Sequence, residues 1–371
     1  MGPLEGLLVL DFSTLLPGPL AGLILAEAGA RVVKIERPGR GDEMRAYEPK
    51  LGEDSVNFAM LNRGKQSIAI DLKAPDAVKR LTPLLERADV VIEQFRPGVM
   101  SRLGLGYDDV RRMNSKIVYC SITGWGQTGP KANVAAHDLN YIAETGVLGL
   151  SAGADGAPVL PPVLAADVAG GTLPAVVNIL LALRRRDLTG VGSHLDVAMG
   201  DGLFTFLYWG LGEGFSGNGW PTGGRSLVTG GSPRYQIYRT ADGRHVAAAP
   251  IEDKFWENFT RIVDLPEPLR DPNAPVEVVK AAVAERIGAQ TADHWRRAFE
   301  GQDVCCSIVA TLEEAVADPH VAARRLFAHT VKAGGREIPA LPVPIAPAFR
   351  PDATRAAAPR LGDTVDPLLE V

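Results

Sequence analysis

The chain has 371 residues, of which 46% are hydrophobic and 22% charged, enough to bury a sizeable core and too apolar for wholesale disorder. A net charge of -5 leaves no dense positive surface for nucleic acid or an anionic membrane. Three cysteines, Cys120, Cys305 and Cys306, rule out a disulfide framework and predict a reducing, cytoplasmic setting.

From the N-terminus, residues 6–12 predict a strand, 19–28 a short helix and 31–36 a second strand. Further apolar, β-branched runs follow at 66–71, 90–93 and 116–122, and 74–88 carries apolar residues at helical spacing. Such alternation predicts an α/β fold, a Rossmann-like parallel sheet with helices on its faces. A long helix is expected from Asp167 to Arg186, its three terminal arginines suited to the negative end of the helix dipole. Composition then changes. The reading is a large domain over 1–195, a Gly-, Ser- and Pro-rich linker over 196–224, and a small α+β domain over 225–329, with 330–371 completing the large one. The small domain opens on a hairpin turned at Asp242-Gly243, with helices expected at 254–263, 276–287 and 292–299. The adjacent Cys305 and Cys306 read as strand core. No export signal is expected, and no apolar run reaches the ~20 residues of a membrane helix.

Several motifs carry chemistry. The turn Pro17-Gly18-Pro19-Leu20 lacks the second glycine of a dinucleotide fingerprint and reads as a packed βα turn. Arg37, Arg63, Lys65 and Arg96, with Arg102 nearby, follow strands or adjoin strand ends, where they could converge on phosphates. Gly149-Leu150-Ser151-Ala152-Gly153 spells a nucleophile elbow, but the strand before it and the helix after it are missing, so it reads as a loop. No histidine pair has metal-ligand spacing, and no metal site is expected. The densest stretch runs from Thr123 to Gly171. It holds a glycine-rich loop after a strand, then His137 at the start of a helix, then Asp167 thirty positions on. Histidine is the side chain suited to acid–base work near neutral pH, and a helix start offers unpaired N–H donors. Asp167 suits either a helix cap or a chemical role.

Taken together, these segments resemble the family III CoA-transferase (CaiB/BaiF) superfamily. The resemblance is carried by Leu16-Pro17-Gly18-Pro19 with Val33-Lys34-Ile35-Glu36-Arg37-Pro38, by Leu61-Asn62-Arg63-Gly64-Lys65, by Glu93-Gln94-Phe95-Arg96-Pro97-Gly98, and by Gly124-Trp125-Gly126 through Pro130 with Asp167 and Gly170-Gly171. It implies an interlocked homodimer. It also implies CoA as part of the substrate rather than a prosthetic group, held by a set comprising Arg37, Asn62, Arg63, Lys65, Arg96, Arg102, Gly124, Lys131 and Tyr141. Nucleic acid and membrane are not expected as partners. In the transferase branch the residue matching Asp167 forms a mixed anhydride with the acyl group. In the α-methylacyl-CoA racemase branch, residues matching His137 and Asp167 exchange protons at the acyl α-carbon, and one matching Glu252 orients the histidine. Stereoinversion at carbon needs two proton carriers on opposite faces and a donor at the enolate oxygen, for which the Asp138 N–H is the first candidate. His137-Asp138-Leu139-Asn140-Tyr141 and Ile251-Glu252 favour the racemase branch, while residues 41–62 look more like the transferases. The expected activity is therefore racemisation of 2-methylacyl-CoA thioesters. CoA transfer through an Asp167 anhydride is the alternative, and a non-catalytic acyl-CoA-binding paralogue the second.

Overall fold

The computed structural model describes residues 2–153, 155–217, 219–350 and 355–364. Its Cα packing separates two compact units, one of residues 1–142, 163–206 and 320–371, the other of 143–162 and 207–319.

The first unit is built on a six-stranded sheet of β1 (Leu8–Asp11), β2 (Arg31–Glu36), β5 (Gln66–Ala69), β6 (Val90–Glu93), β7 (Val118–Thr123) and β8 (Ser193–Ala198), with a short hairpin of β3 (Lys50–Leu51) and β4 (Asp54–Ser55) beside it. Every pairing in the large sheet is parallel, in the order β5-β2-β1-β6-β7-β8. The central strands β1, β6 and β7 are buried along their whole length, as strands covered on both faces must be. The helices α1 (Pro17–Glu27), α2 (Val56–Asn62), α3 (Ala77–Leu85), α4 (Val99–Arg102), α5 (Tyr107–Met113) and α6 (Asp138–Glu144) connect or cover these strands. On one face Leu81, Leu84 and Leu85 of α3 join Leu10, Val33, Ile68 and Ile70 in a single core.

After α7 (Val147–Leu150), which belongs to the second unit, the chain re-enters the first in a π-helical segment, Ala166–Thr172. This segment continues directly as α8 (Leu173–Thr189), which stops at Gly190 in the left-handed conformation. Among the described residues, 166–189 form a helix long and apolar enough to cross a membrane by length and composition, contrary to expectation. Ala175, Val176, Ile179, Ala182 and Leu183 are buried, and α8 packs on β7 and β8; Leu173, Val177, Leu180 and Leu181 form an exposed apolar stripe.

The segment read as a linker is largely helical, with α9 (Met199–Leu203), a short 3-10 turn and α10 (Tyr208–Phe215). Its glycines misled the reading because close packing is what requires them. A Cβ on Gly202 would lie 2.7 Å from the Gly170 Cα, so α9 crosses the π-helical segment at backbone contact.

The second unit carries the antiparallel sheet of β9 (Gln236–Arg239), β10 (His245–Ala248) and β11 (Cys306–Ile308), with the expected hairpin register across Asp242-Gly243. Helices α11 (Asp253–Ile262), α12 (Val276–Gly288) and α13 (Ala292–Phe299) bury Trp256, Phe259, Trp295 and Phe299 in one core. Cys306 lies in β11, but Cys305 is exposed at φ +50°, so the pair is not a strand core. Helices α14 (Leu312–Val316) and α15 (Pro319–Ala323) follow.

The chain then closes the first unit with a three-stranded sheet of β12 (Thr330–Ala333), β13 (Arg336–Pro339) and β14 (Arg355–Ala357). Val331, Ala333 and Ala340 pack against Ala59 of α2. The Gly64 N–H donates to the Ala357 carbonyl at 2.9 Å, and Arg350 pairs with Glu27 at 2.7 Å.

Candidate active site

Reading outward from the sheet, the C-terminal ends of β1, β6, β7 and β8 meet around a cavity of about 390 Å³. Leu15 and Pro17 come from the β1 turn, residues 94–97 from the end of β6, Ile122 to Gly124 from β7 and Met199 from beyond β8. Chain order reverses between β1 and β6, and open parallel sheets take ligands in the crevice at such a switch point. His137 and Asp167 both line this cavity. They belong to the long β7-to-β8 connection, which is how positions thirty apart come together.

His137 directly precedes α6, and its backbone is held on both sides. Its N–H donates to the Asn140 Oδ1 at 3.0 Å, while its carbonyl accepts from the N–H groups of Asn140 and Tyr141 at 2.8 and 3.2 Å. The imidazole itself is exposed. Asp138 opens α6, so its N–H belongs to a first turn that has no intrahelical acceptor. Its buried carboxylate does something the sequence did not suggest: Oδ1 accepts the Asp167 N–H at 2.9 Å and ties the two site segments together.

Asp167 sits half-buried in the first turn of the π-helical segment. Burial, with the Asp138 carboxylate beside it, pushes its pKa up to about 6, and the nearby His137 partly offsets the rise. A carboxyl that titrates close to neutrality can hold or release a proton under working conditions. The cavity thus holds an imidazole and a carboxyl of raised pKa, with the first turn of α6 directly behind His137.

Tyr141 and Gly124 shape one wall. The Tyr141 hydroxyl donates to the Ala136 carbonyl at 3.0 Å, and its ring meets Trp125 edge-on at 5.2 Å between centroids. A Cβ on Gly124 would lie 2.3 Å from the Tyr141 oxygen. Gly124→Ala should therefore push the ring off Ala136 and disturb the loop before His137. The expected cost is about 1–3 kcal/mol in a denaturant titration, with a matching fall in activity. A variant of unchanged midpoint and activity would show that the loop gives way freely.

The cationic set divides. Arg96 is exposed and lines the cavity, and Lys131, beside the lining residue Ala132, has its ammonium 4.5 Å from the centre of the Trp125 ring. Arg37 and Arg102 are exposed but do not line the cavity; Arg37 pairs with Glu43 at 2.8 Å. Asn62, Arg63 and Lys65 are buried in the fold and do not line the cavity. Lys65 Nζ donates to Asp11 Oδ2, the Pro19 carbonyl and Asn62 Oδ1 at 2.8–2.9 Å, filling its three donor positions. Arg63 is taken up by Glu27 and by the carbonyls of Met60 and Leu341, each at 2.7 Å. Glu252 belongs to the second unit, where it precedes α11 as an exposed residue near Cys305.

Residues 4–364 match the model of CoA-transferase family III. Among curated relatives, acetyl-CoA:oxalate CoA-transferase of Acetobacter aceti is 33% identical over 98% of this chain and 94% of its own length. Alpha-methylacyl-CoA racemase of Homo sapiens is also 33% identical, over 99% and 92%. A solved CAIB/BAIF family protein from Brucella suis superposes with a TM-score of 0.82 at 27% identity, covering 98% of this chain and 97% of that one. The chain belongs to CoA-transferase family III, an enzyme family whose members act on CoA thioesters as racemases or CoA-transferases.

Proposed function

We propose that the protein racemises or epimerises 2-methylacyl-CoA thioesters by 1,1-proton transfer between His137 and Asp167. The observation that carries this reading is an imidazole and a carboxyl of pKa about 6 lining one cavity. One group removes the α-proton, and the C–H electron pair moves into an enolate. The other returns a proton to the opposite face, so atoms and electrons balance without a co-reactant. The Asp138 N–H serves the enolate oxygen, where losing one donor costs roughly 2.7–4 kcal/mol of transition-state stabilisation. Arg96 at the cavity suits a CoA phosphate. The exposed stripe of α8 supports the expected pairing of two copies.

The test is incubation in deuterated buffer with a 2-methylacyl-CoA and no acceptor acid. Wild type should exchange the α-hydrogen, and His137→Ala should lose that exchange. For the direction in which Asp167 is the base, kcat/KM should rise with pH through about 6, as the carboxyl ionises.

CoA transfer is the second reading, favoured by residues 41–62, which build out into the β3-β4 hairpin and α2. There the Asp167 carboxylate attacks the thioester carbonyl and expels CoA thiolate, leaving a mixed anhydride for a second carboxylic acid. Turnover that requires that acid, survives His137→Ala and yields a hydroxylamine-trapped aspartyl would replace the racemase reading. Tight acyl-CoA binding with neither turnover would overturn both in favour of a binding protein.

A further inference from the structure

Leu15 lines the cavity with its backbone in the left-handed region, φ +63°, which disfavours any residue but glycine and persists only where the surroundings impose it. The surroundings here are unusually committed. The Leu15 N–H donates to Asp42 Oδ1 at 3.1 Å. Asp42 is buried, and its other oxygen lies 2.9 Å from the equally buried Lys34 Nζ. That ammonium also donates to the Ser13 carbonyl at 2.7 Å, while Asp11 Oδ1 accepts the Ser13 N–H at 3.0 Å. At the far end of the turn the Gly18 N–H donates to Gln94 Oε1 at 3.0 Å. Buried charges thus hold residues 13–18 in a single conformation, and the product of that arrangement is one aliphatic side chain at the reaction cavity.

We propose that Leu15 is a specificity-determining wall of the acyl cavity and that Asp42, braced by Lys34, is its positioning residue. The proposal rests on reading the cavity as an acyl-CoA site and adds what limits the acyl group. A relaxation of residue 15 to negative φ would swing its side chain off the wall and break the N–H bond to Asp42. The Leu15 side chain offers an acyl chain apolar surface and no charge or hydrogen-bonding group, so its part in the selection is steric fit, and methylene-sized changes in such pockets move selectivity about 10–200-fold.

The test measures binding of free CoA, acetyl-CoA and 2-methyldecanoyl-CoA to the full-length chain and its variants. Leu15→Ala should shift the affinity ratio of the two thioesters at least tenfold toward the longer, branched one, with free CoA unchanged. Leu15→Gly should shift it the same way without lowering the melting temperature, because glycine tolerates positive φ. Asp42→Ala should follow Leu15→Ala, and Asp42→Asn, which keeps an acceptor oxygen, should restore most of the wild-type ratio. An unchanged ratio in a folded Leu15→Ala protein overturns the proposal. If wild type binds acyl-CoA and shows the Leu15 effect yet turns nothing over, the proposed reaction fails while the wall stands. If it binds no acyl-CoA, both fall.

Discussion

Asp167→Asn is expected to abolish turnover while making the folded protein harder to unfold at neutral pH. An amide can neither take up nor release a proton in the required range, so the loss in activity should be at least the 10²–10⁴-fold that a positioned acid or base contributes. Both reactions considered for this family use the carboxylate, so neither escapes. The stability change has the opposite sign. Asp167 has its pKa raised from 3.8 to about 6 in the folded chain. The folded state therefore binds protons more readily than the unfolded one across that window, and unfolding free energy falls as pH rises through it. Above pH 6 the ionised carboxylate costs up to about 3 kcal/mol, at 1.36 kcal/mol for each unit of pKa. Asparagine removes that cost, so its urea midpoint should exceed wild type at pH 8 and converge with it near pH 4. A lower midpoint at pH 8 would mean that a partner stabilises the carboxylate. Function at this position is held against the preference of the fold.

Asp11→Ala should be the most damaging single change to the fold. Asp11 is completely buried at the end of β1 and accepts hydrogen bonds from the Ser13 N–H, the Ser13 hydroxyl and the Lys65 ammonium. Although burial opposes its charge, Lys65 and Lys34 hold its pKa down at about 2. Truncating it leaves two buried ammonium groups short of a counter-charge, at an expected cost of about 3–5 kcal/mol. Burial already brings Lys65 down to about 8, so in the variant it should shed its proton more readily still. A folded state that binds fewer protons than the unfolded one gains stability as pH rises, so the deficit should shrink between pH 6 and pH 9. Paired with Lys65→Met, Asp11→Ala should cost markedly less than alone. A double-variant cost equal to the sum of the two single-variant costs would show the two side chains to be uncoupled.

The same ion pair marks where the sequence was legible and where it was not. Strands and helices of the large sheet could be read because their apolar periodicity is dictated by burial on both faces. The meeting of His137 with Asp167 could be anticipated because both hang from one edge of a parallel sheet. The interior position of Lys65 was not legible, because a cation next to a strand looks the same in sequence whether it faces the rim or the interior. A signal was present nonetheless: Asp11 closes the apolar run Leu8-Val9-Leu10, and Lys34 interrupts Val32-Val33 and Ile35. Charges inside buried strands demand partners, and Lys65 and Asp42, both further along the chain, supply them. The Asp138 carboxylate left no such trace, since its acceptor role depends on where Asp167 arrives in space. The Leu15 wall was equally invisible, because a positive φ at leucine is imposed by tertiary contacts.

The first unit is discontinuous: its sheet lies within residues 1–206, yet Arg63 and Glu27 find their last partners at Leu341 and Arg350. On the ribosome those two side chains must wait, after the sheet is complete, until more than a hundred further residues, including 207–319 of the second unit, have been made. At roughly 5–20 residues per second that interval lasts many seconds, during which α1 and α2 lack their closing strap. The nascent large unit is then vulnerable to premature association or proteolysis, and translation must pass Arg350 before the reaction cavity has a finished scaffold behind it.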